Sequence, residues 1–208
     1  MSTESAQELA GRRALVYVGG SIAAVKAGDV VTLLRRGGAE TRVAMTHSAT
    51  HFVTPLTLQS LSGNAVVTDL FGEAHGRGRG GRTGPPSVSD AGHGMAHLDL
   101  SAWAEVQVAV AASANLIARL ALGLADDAVT ATALACRAPL VIAPAMETAM
   151  WEHPATQAHV STLSGRGAVL VGPVSGRLAS GREAMGRMAE PAEIVDLVAA
   201  VIAAAGGR

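Results

Sequence analysis

Short apolar runs punctuate the chain, and they are separated by longer segments of mixed polarity. The first run, Arg13 to Val18, ends at Gly19-Gly20, and the spacing after it predicts a helix from Ile22 to Arg36. A strand from Thr41 to Met45, a helix from His51 to Leu61 and an extended piece from Ala65 to Leu70 follow. Order resumes at Met95. Strands are predicted at Val106 to Ala111, Leu140 to Ala143 and Ala168 to Val171, with helices at Ser113 to Leu122, Asp126 to Cys136 and Pro154 to Ser164. A last helix, Pro191 to Ala205, has proline at its first position, where the missing N–H costs nothing. The strands are continuous apolar runs and do not alternate in polarity, which is the mark of a parallel sheet covered on both faces. The expected fold is therefore a single α/β domain, a Rossmann-like (flavodoxin-like) doubly wound parallel sheet spanning residues 12–205. Residues 1–11 read as a flexible tail and Gly172 to Met188 as an irregular glycine-rich segment. The length, 208 residues, suits one such domain.

Composition alters this picture in one place. Residues 72–94 hold many glycines, three arginines and two prolines with almost nothing apolar, so a mobile loop is expected. Arginine and glycine together can contact RNA, but three arginines and a net charge of -1 favour a solvated loop and no nucleic-acid partner. The longest apolar stretch, Ala102 to Ala125, is broken by Glu105, Gln107, Asn115 and Arg119, so no membrane span is expected. The polar, acidic start does not read as a signal peptide, and a cytoplasmic setting is the expectation. One cysteine, Cys136, excludes an intrachain disulfide and a cysteine-rich metal site, and reads as a buried inert thiol. His47 and His51 are four apart but lack a third ligand, so no metal is expected.

Ligands of parallel sheets bind beyond the C-terminal ends of the strands. After the first strand come Gly19-Gly20-Ser21 and a helix, a backbone able to approach a phosphate. After the second come Thr46-His47-Ser48, hydroxyls where a dinucleotide site would place an acid. A mononucleotide such as FMN is thus favoured over NAD. Later strands are followed by Ala112-Ser113-Ala114-Asn115 and by Pro144 to Trp151, small residues beside an amide that suit the edge of a flat ring. Met146, Met150 and Trp151 read equally well as ordinary core or as ligand contacts.

From about Leu15 to the closing helix, apart from the loop, the chain resembles the homo-oligomeric flavin-containing cysteine decarboxylases. That family includes peptidyl-cysteine decarboxylases of lantibiotic-type biosynthesis and phosphopantothenoylcysteine decarboxylases of coenzyme A biosynthesis. Gly19 to Ala24 resembles its first phosphate turn, and Thr46, Ser48, Ala49 and Phe52 its second. His97-Leu98-Asp99-Leu100 with Trp103-Ala104 resembles the segment of the active-site histidine. Ala111 to Leu116 is similar to Pro-Ala-Ser-Ala-Asn-Thr, and Gly123 to Asp127 to a Gly-x-x-Asp-Asp element. Pro144 to Trp151 is similar to Pro-x-Met-Asn-x-x-Met-Trp, and Gly181 to Met188 to a flexible substrate clamp.

The resemblance implies FMN held by Gly20, Ser21, Ile22, Thr46, Ser48, Phe52, Ala112, Ser113, Asn115 and Met146. It implies substrate contacts from Met150, Trp151, Ser180, Gly181 and Arg187, and a trimer or dodecamer with FMN at a subunit interface. His97 would be the base that removes the thiol proton, a role that fits a histidine at neutral pH. Two departures stand out. Glu147 replaces the family Asn that holds the departing carboxylate, and an ionised Glu147 would repel that group. It would have to act in neutral form, or Arg187 would hold the carboxylate, or Glu147 would only cap the next helix. The clamp cysteine of coenzyme A pathway members is matched by Ser180. The function expected is FMN-dependent oxidative decarboxylation of the C-terminal cysteine of a precursor peptide to an enethiol. Phosphopantothenoylcysteine decarboxylase and a catalytically inactive flavin-binding subunit are the alternatives.

Overall fold

The computed structural model describes residues 3–70 and 95–206. The expected mobile loop at 72–94 lies outside them. Six parallel strands, β1 (Arg13–Val18), β2 (Glu40–Met45), β3 (Val66–Val67), β4 (Val106–Ala112), β5 (Leu140–Pro144) and β6 (Val169–Leu170), form one sheet in the order β3-β2-β1-β4-β5-β6. The order reverses between β1 and β4, where a crevice opens beyond the strand ends.

The strands read as unbroken apolar runs because each feeds two cores. Ala14, Val16 and Val18 of β1 pack into one core, with Leu9 of α1 (Thr3–Leu9), Val30 and Leu34 of α2 (Ala27–Arg36), Leu58 of α3 (Pro55–Ser62) and Ile194 of α9 (Pro191–Gly206). Leu15 and Tyr17 face the other core. There they meet Leu100 of α4 (Ala96–Trp103), Ile117 of α5 (Ala114–Leu122), Val129 of α6 (Ala128–Ala135) and Leu163 of α8 (Pro154–Gly165). The one polar side chain within β4, Gln107, is buried and satisfied at both ends. It accepts from the Tyr17 hydroxyl at 2.8 Å and donates to the Ala138 carbonyl at 2.6 Å. Burial pushes the Tyr17 hydroxyl well above its ordinary pKa.

Several expectations are corrected. Residues 3–9 are not a loose tail. They form α1, which packs on α9, with Leu9 fully buried and the Ser5 hydroxyl donating to Asp196 at 2.6 Å. Burying that leucine contributes roughly 1.5–3 kcal/mol, enough to hold a short helix down. The helix expected from Ile22 begins as a 3-10 turn, Ile22–Lys26, before α2, and the one expected from His51 is a 3-10 turn, His47–His51, followed by α3. Ser21, Thr46 and Thr54 end the preceding extended backbone by accepting from Ala23, Ala49 and Thr57 N–H. The glycine-rich segment expected to be irregular contains an antiparallel hairpin, β7 (Val174–Arg177) with β8 (Glu183–Arg187). A short helix, α7 (Thr148–Trp151), follows β5. Half-buried rather than buried, Cys136 has its thiol pushed up by partial burial, and it lines a cavity of about 320 Å³ by the N-terminal ends of β4 and β5, away from the crevice at the strand C-termini.

Candidate functional site

Three segments that the sequence marks as ligand turns meet at the β1/β4 crevice. The Gly19 N–H donates to the Val110 carbonyl at 3.1 Å, which ties the end of β1 to β4. A Cβ on Gly19 would stand 2.5 Å from the Ala111 carbonyl oxygen, and one on Gly20 would stand 2.4 Å from the Ser48 Cβ. Only glycine therefore lets the first turn lie against the second and against β4. Ser21, Thr46 and Ser113 each cap the turn or helix that follows, accepting from the N–H of Ala23, Ala49 and Leu116 at 3.2–3.3 Å. Ser48 and Asn115 are exposed, and their side chains make no hydrogen bond among the described residues. Ala112 is buried at the end of β4 and shapes the floor, and Phe52 is largely exposed at the end of the second turn. The glycine-lined backbone, the hydroxyls and the free amide fit the phosphate and polar ring edge of FMN.

Beside this crevice lies a cavity of about 520 Å³ whose walls include Ser21, Ile22, Met146, Glu147 and Arg187. These five residues come from segments that the sequence marks separately. The cavity is roofed by the β7–β8 hairpin, which supplies Arg177, Leu178 and Ala179. The hairpin is fastened to the chain after β5. The Met146 N–H donates to the Gly186 carbonyl at 3.0 Å, and the Thr148 hydroxyl donates to the Met185 carbonyl at 2.5 Å. Gly186 has φ +140°, and a Cβ there would stand 2.2 Å from the Met146 carbonyl oxygen, so this junction also requires glycine.

Glu147 does not cap α7, since its side chain makes no bond to that helix. Instead its Oε1 accepts from the Ser180 hydroxyl at 3.2 Å and from Arg182 Nη2 at 3.1 Å, both on the hairpin. Arg187, expected to face a substrate carboxylate, lines the cavity with Glu147, and its buried Nε has no hydrogen-bond partner among the described residues. Arg187 is ion-paired with Glu190, as is Lys26, at 3.4 Å. Arg177 has no ion-pair partner among the described residues. Arg182, Arg177 and Lys26 were missed by sequence reasoning. The early signal was slight: Arg182 lies inside the Gly181 to Met188 stretch that resembles the clamp, and Lys26 and Arg177 carry none.

Other expected residues stay outside the cavity. Met150 is 48% exposed on α7, and Trp151 lies beside it without lining the cavity. Gly181 sits at the turn between the hairpin strands and is exposed. His97 lines a different, largely apolar cavity of about 380 Å³ with Leu70, Leu98, Ala125, Ala131, Leu134 and Ala135. Its Nδ1 is buried with no hydrogen-bond partner among the described residues. One chain therefore does not bring His97 to Glu147.

Comparison with known proteins agrees with this architecture. Residues 2–203 match the family model described as Flavoprotein. The chain is 41% identical over 187 residues to the coenzyme A biosynthesis bifunctional protein CoaBC of Haemophilus influenzae, covering 90% of this chain and 43% of that protein. It thus spans less than half the length of that relative. Among solved structures it resembles the FMN-dependent cysteine decarboxylase SpaF, with TM-score 0.73 and 34% identity over 94% of this chain and 99% of that one. It also resembles a Cys-to-Ser mutant of PPC decarboxylase complexed with pantothenoylaminoethenethiol, with TM-score 0.74 and 31% identity over 95% and 100% of the two chains. With its sheet order, its glycine-lined crevice and this match over nearly its whole length, the chain belongs to the Flavoprotein family.

Proposed function

We propose that this chain is an FMN-dependent decarboxylase that converts a terminal cysteine into an enethiol. The observation that carries the reading is the glycine-built crevice opening directly beside a cavity roofed by the hairpin. FMN would be held by Gly20, Ser21, Thr46 and Ser48 around its phosphate, with Ser113, Asn115 and Met146 nearer the ring. When bound, FMN supplies the two-electron acceptor that a carboxylate on an sp³ carbon needs before it can leave. The chain's own task is to place the cysteine. Ile22, Val25, Leu178 and Met188 give the cavity apolar walls beneath the hairpin. His97 would accept the thiol proton.

His97 and Glu147 line separate cavities of one chain, so they share a site only if a second copy contributes one of them. This supports a homo-oligomer with the flavin at the boundary between copies. Exposed Leu98 and Leu134 beside His97 offer apolar surface for such a contact.

For the substrate, the similarity to coenzyme A biosynthesis proteins moves the weight from the expected precursor peptide to phosphopantothenoylcysteine. The unpaired Arg177 in the cavity supports a substrate with a second anionic group. A Cys-terminated peptide is the second reading, favoured by the likeness to SpaF. Under either reading the product stays an enethiol. Ser180 cannot act as a redox thiol, and Cys136 lies by the N-terminal ends of the strands, away from the crevice. The test is to incubate the FMN-loaded protein with phosphopantothenoylcysteine and with Cys-terminated peptides, and to follow the loss of the mass of formic acid. A protein that binds FMN but removes that mass from neither substrate would be a flavin-binding subunit without this activity.

A further inference from the structure

The charged residues that line the cavity are Lys26, Arg177, Arg187 and Glu147. Glu147 is engaged by the tip of the hairpin, through Ser180 and Arg182, and forms no ion pair with Arg187 among the described residues. Glu190, outside the lining, pairs with both Lys26 and Arg187. Two cations therefore share one carboxylate, and one positive charge on this wall is left over for an anion. The three cations differ in place. Lys26 ends the 3-10 turn that follows Ser21, on the side proposed for the FMN phosphate. Arg177 lies on the other strand of the hairpin, opposite Glu183, and is exposed. Arg187 ends β8 and directly follows Gly186, whose carbonyl accepts from the Met146 N–H at 3.0 Å. It is the lining cation whose backbone is tied to the segment proposed to lie beside the flavin ring. The departing carboxylate is carried by the carbon next to the one that FMN oxidises, so its receptor belongs at this end of the cavity.

The guanidinium of Arg187 is under-used. Nη2 pairs with Glu190, while Nε is buried without a hydrogen-bond partner and Nη1 makes no hydrogen bond among the described residues. A buried charged donor without an acceptor is costly, and a carboxylate supplies acceptors. The space the side chain occupies is also specific. A Cβ on Gly176 would stand 2.8 Å from Arg187 Cδ and 3.2 Å from its Nη1, so Arg187 lies along a stretch of β7 that is bare only because residue 176 is glycine. We propose, resting on the reading of the cavity as a cysteine-carboxylate site, that Arg187 receives the substrate carboxylate, with Glu190 holding one nitrogen of its fork and Gly176 as its seat. A planar fork can keep one carboxylate on one nitrogen and pair with a second through its other N–H groups. Glu147 occupies the position where the family pattern has its carboxylate-holding amide, and the hairpin tip neutralises it through Arg182. The carboxylate receptor has moved from the strand end to the last residue of β8.

The test uses the FMN-loaded protein and a probe that binds without turning over, pantothenoylserine, in which a hydroxyl replaces the thiol, compared with its carboxamide. Calorimetric titration of wild type should show the acid bound about tenfold or more tightly than the amide, the scale of a charge-assisted hydrogen-bonded pair. Arg187→Gln should erase that preference, Arg187→Lys should keep part of it, and flavin absorbance should be unchanged in both. A variant that only loosened the hairpin would weaken acid and amide alike, so the ratio isolates the carboxylate. Gly176→Ala displaces Arg187 without removing its charge and should lower the preference at least about threefold. The decisive comparison is Arg177→Gln, which removes an equal charge from the same cavity. The probe carries no second anionic group, so this variant should keep the acid preference. If Arg177→Gln erases it as fully as Arg187→Gln does, the cavity acts only through its summed charge and the proposal is overturned. A wild type with no preference for the acid, or an Arg187→Gln variant that keeps it, overturns it as well, and an undiminished preference in Gly176→Ala overturns the seat. Decarboxylation of pantothenoylcysteine is measured in parallel. Absent mass loss with the acid preference intact would remove the enzymatic reading and leave the role of Arg187 standing.

Discussion

A methyl group at Gly20 would meet the Ser48 Cβ at 2.4 Å, well inside van der Waals contact, so the first turn of Gly20→Ala must swing away from the second. Because both turns are proposed to surround the FMN phosphate, the purified variant should carry at least about tenfold less flavin, read from its absorbance. Flavin content equal to wild type would place the phosphate elsewhere. His97 makes the opposite demand, since it is proposed to act on the substrate rather than to hold the cofactor. His97→Asn should keep FMN and lose activity by roughly a hundredfold or more, the usual scale for a missing general base. Normal turnover by that variant would make His97 a structural residue, satisfied by a bond that the described residues do not provide.

Elements are set by a few local devices that can be broken one at a time. The start of α6 is the clearest. Asp127 accepts from the Thr130 N–H at 2.8 Å, and the Thr130 side chain returns a contact to the Asp127 N–H at 3.3 Å, forming a reciprocal cap. Arg119 on α5 binds Asp127 at 2.7 Å and pairs with Asp126, whose carboxyl it holds below its ordinary pKa. Asp127→Ala should cost about 1 kcal/mol, measured by denaturant unfolding, without loss of flavin. An unchanged unfolding midpoint would mean that α6 is held by packing alone. The hairpin is the contrasting case. It has little apolar content of its own and is held by bonds to the Met146–Thr148 segment, so its position depends on Gly186 more than on strand propensity.

At the scale of the whole molecule, the proposed site is divided. The cavity with Glu147 and the cavity with His97 share no lining residue. If copies of the chain join the two, each active site takes His97 from one protomer and the hairpin from its neighbour. Two inactive variants should then complement one another. His97→Asn and Gly186→Val, each without turnover, should recover roughly a quarter of wild-type activity, averaged over all boundaries, when dissociated and reassembled together in equal amounts, on statistical pairing of copies. No recovery, with mixed oligomers demonstrated by mass, would place the whole site within one chain.

Much of this was legible in the residues themselves. Continuous apolar runs announce strands buried on both faces, and β1 answers with Ala14, Val16 and Val18 in one core and Leu15 and Tyr17 in the other. The ligand turns were legible for the same reason. Gly19, Gly20, Ser21, Thr46 and Ser113 follow directly on their strands, and in a parallel sheet the strand end determines where they lie. What the sequence could not determine depends on contacts between distant segments. Residues 3–9 lack the length to predict a stable helix and gain one by burying Leu9 against the far end of the chain. The hairpin reads as loop because Gly and Arg carry no strand period, and it pairs only when placed against Met146. Glu147 and Arg182 are 35 residues apart, and the partner of a charge across such a separation is chosen by the fold. The sequence by itself determined the sheet and the edge where a flavin would bind. Only the tertiary structure decided which cation faces Glu147 and that His97 stands in another cavity, because local periodicity reports burial and says nothing of which buried or charged groups finally meet.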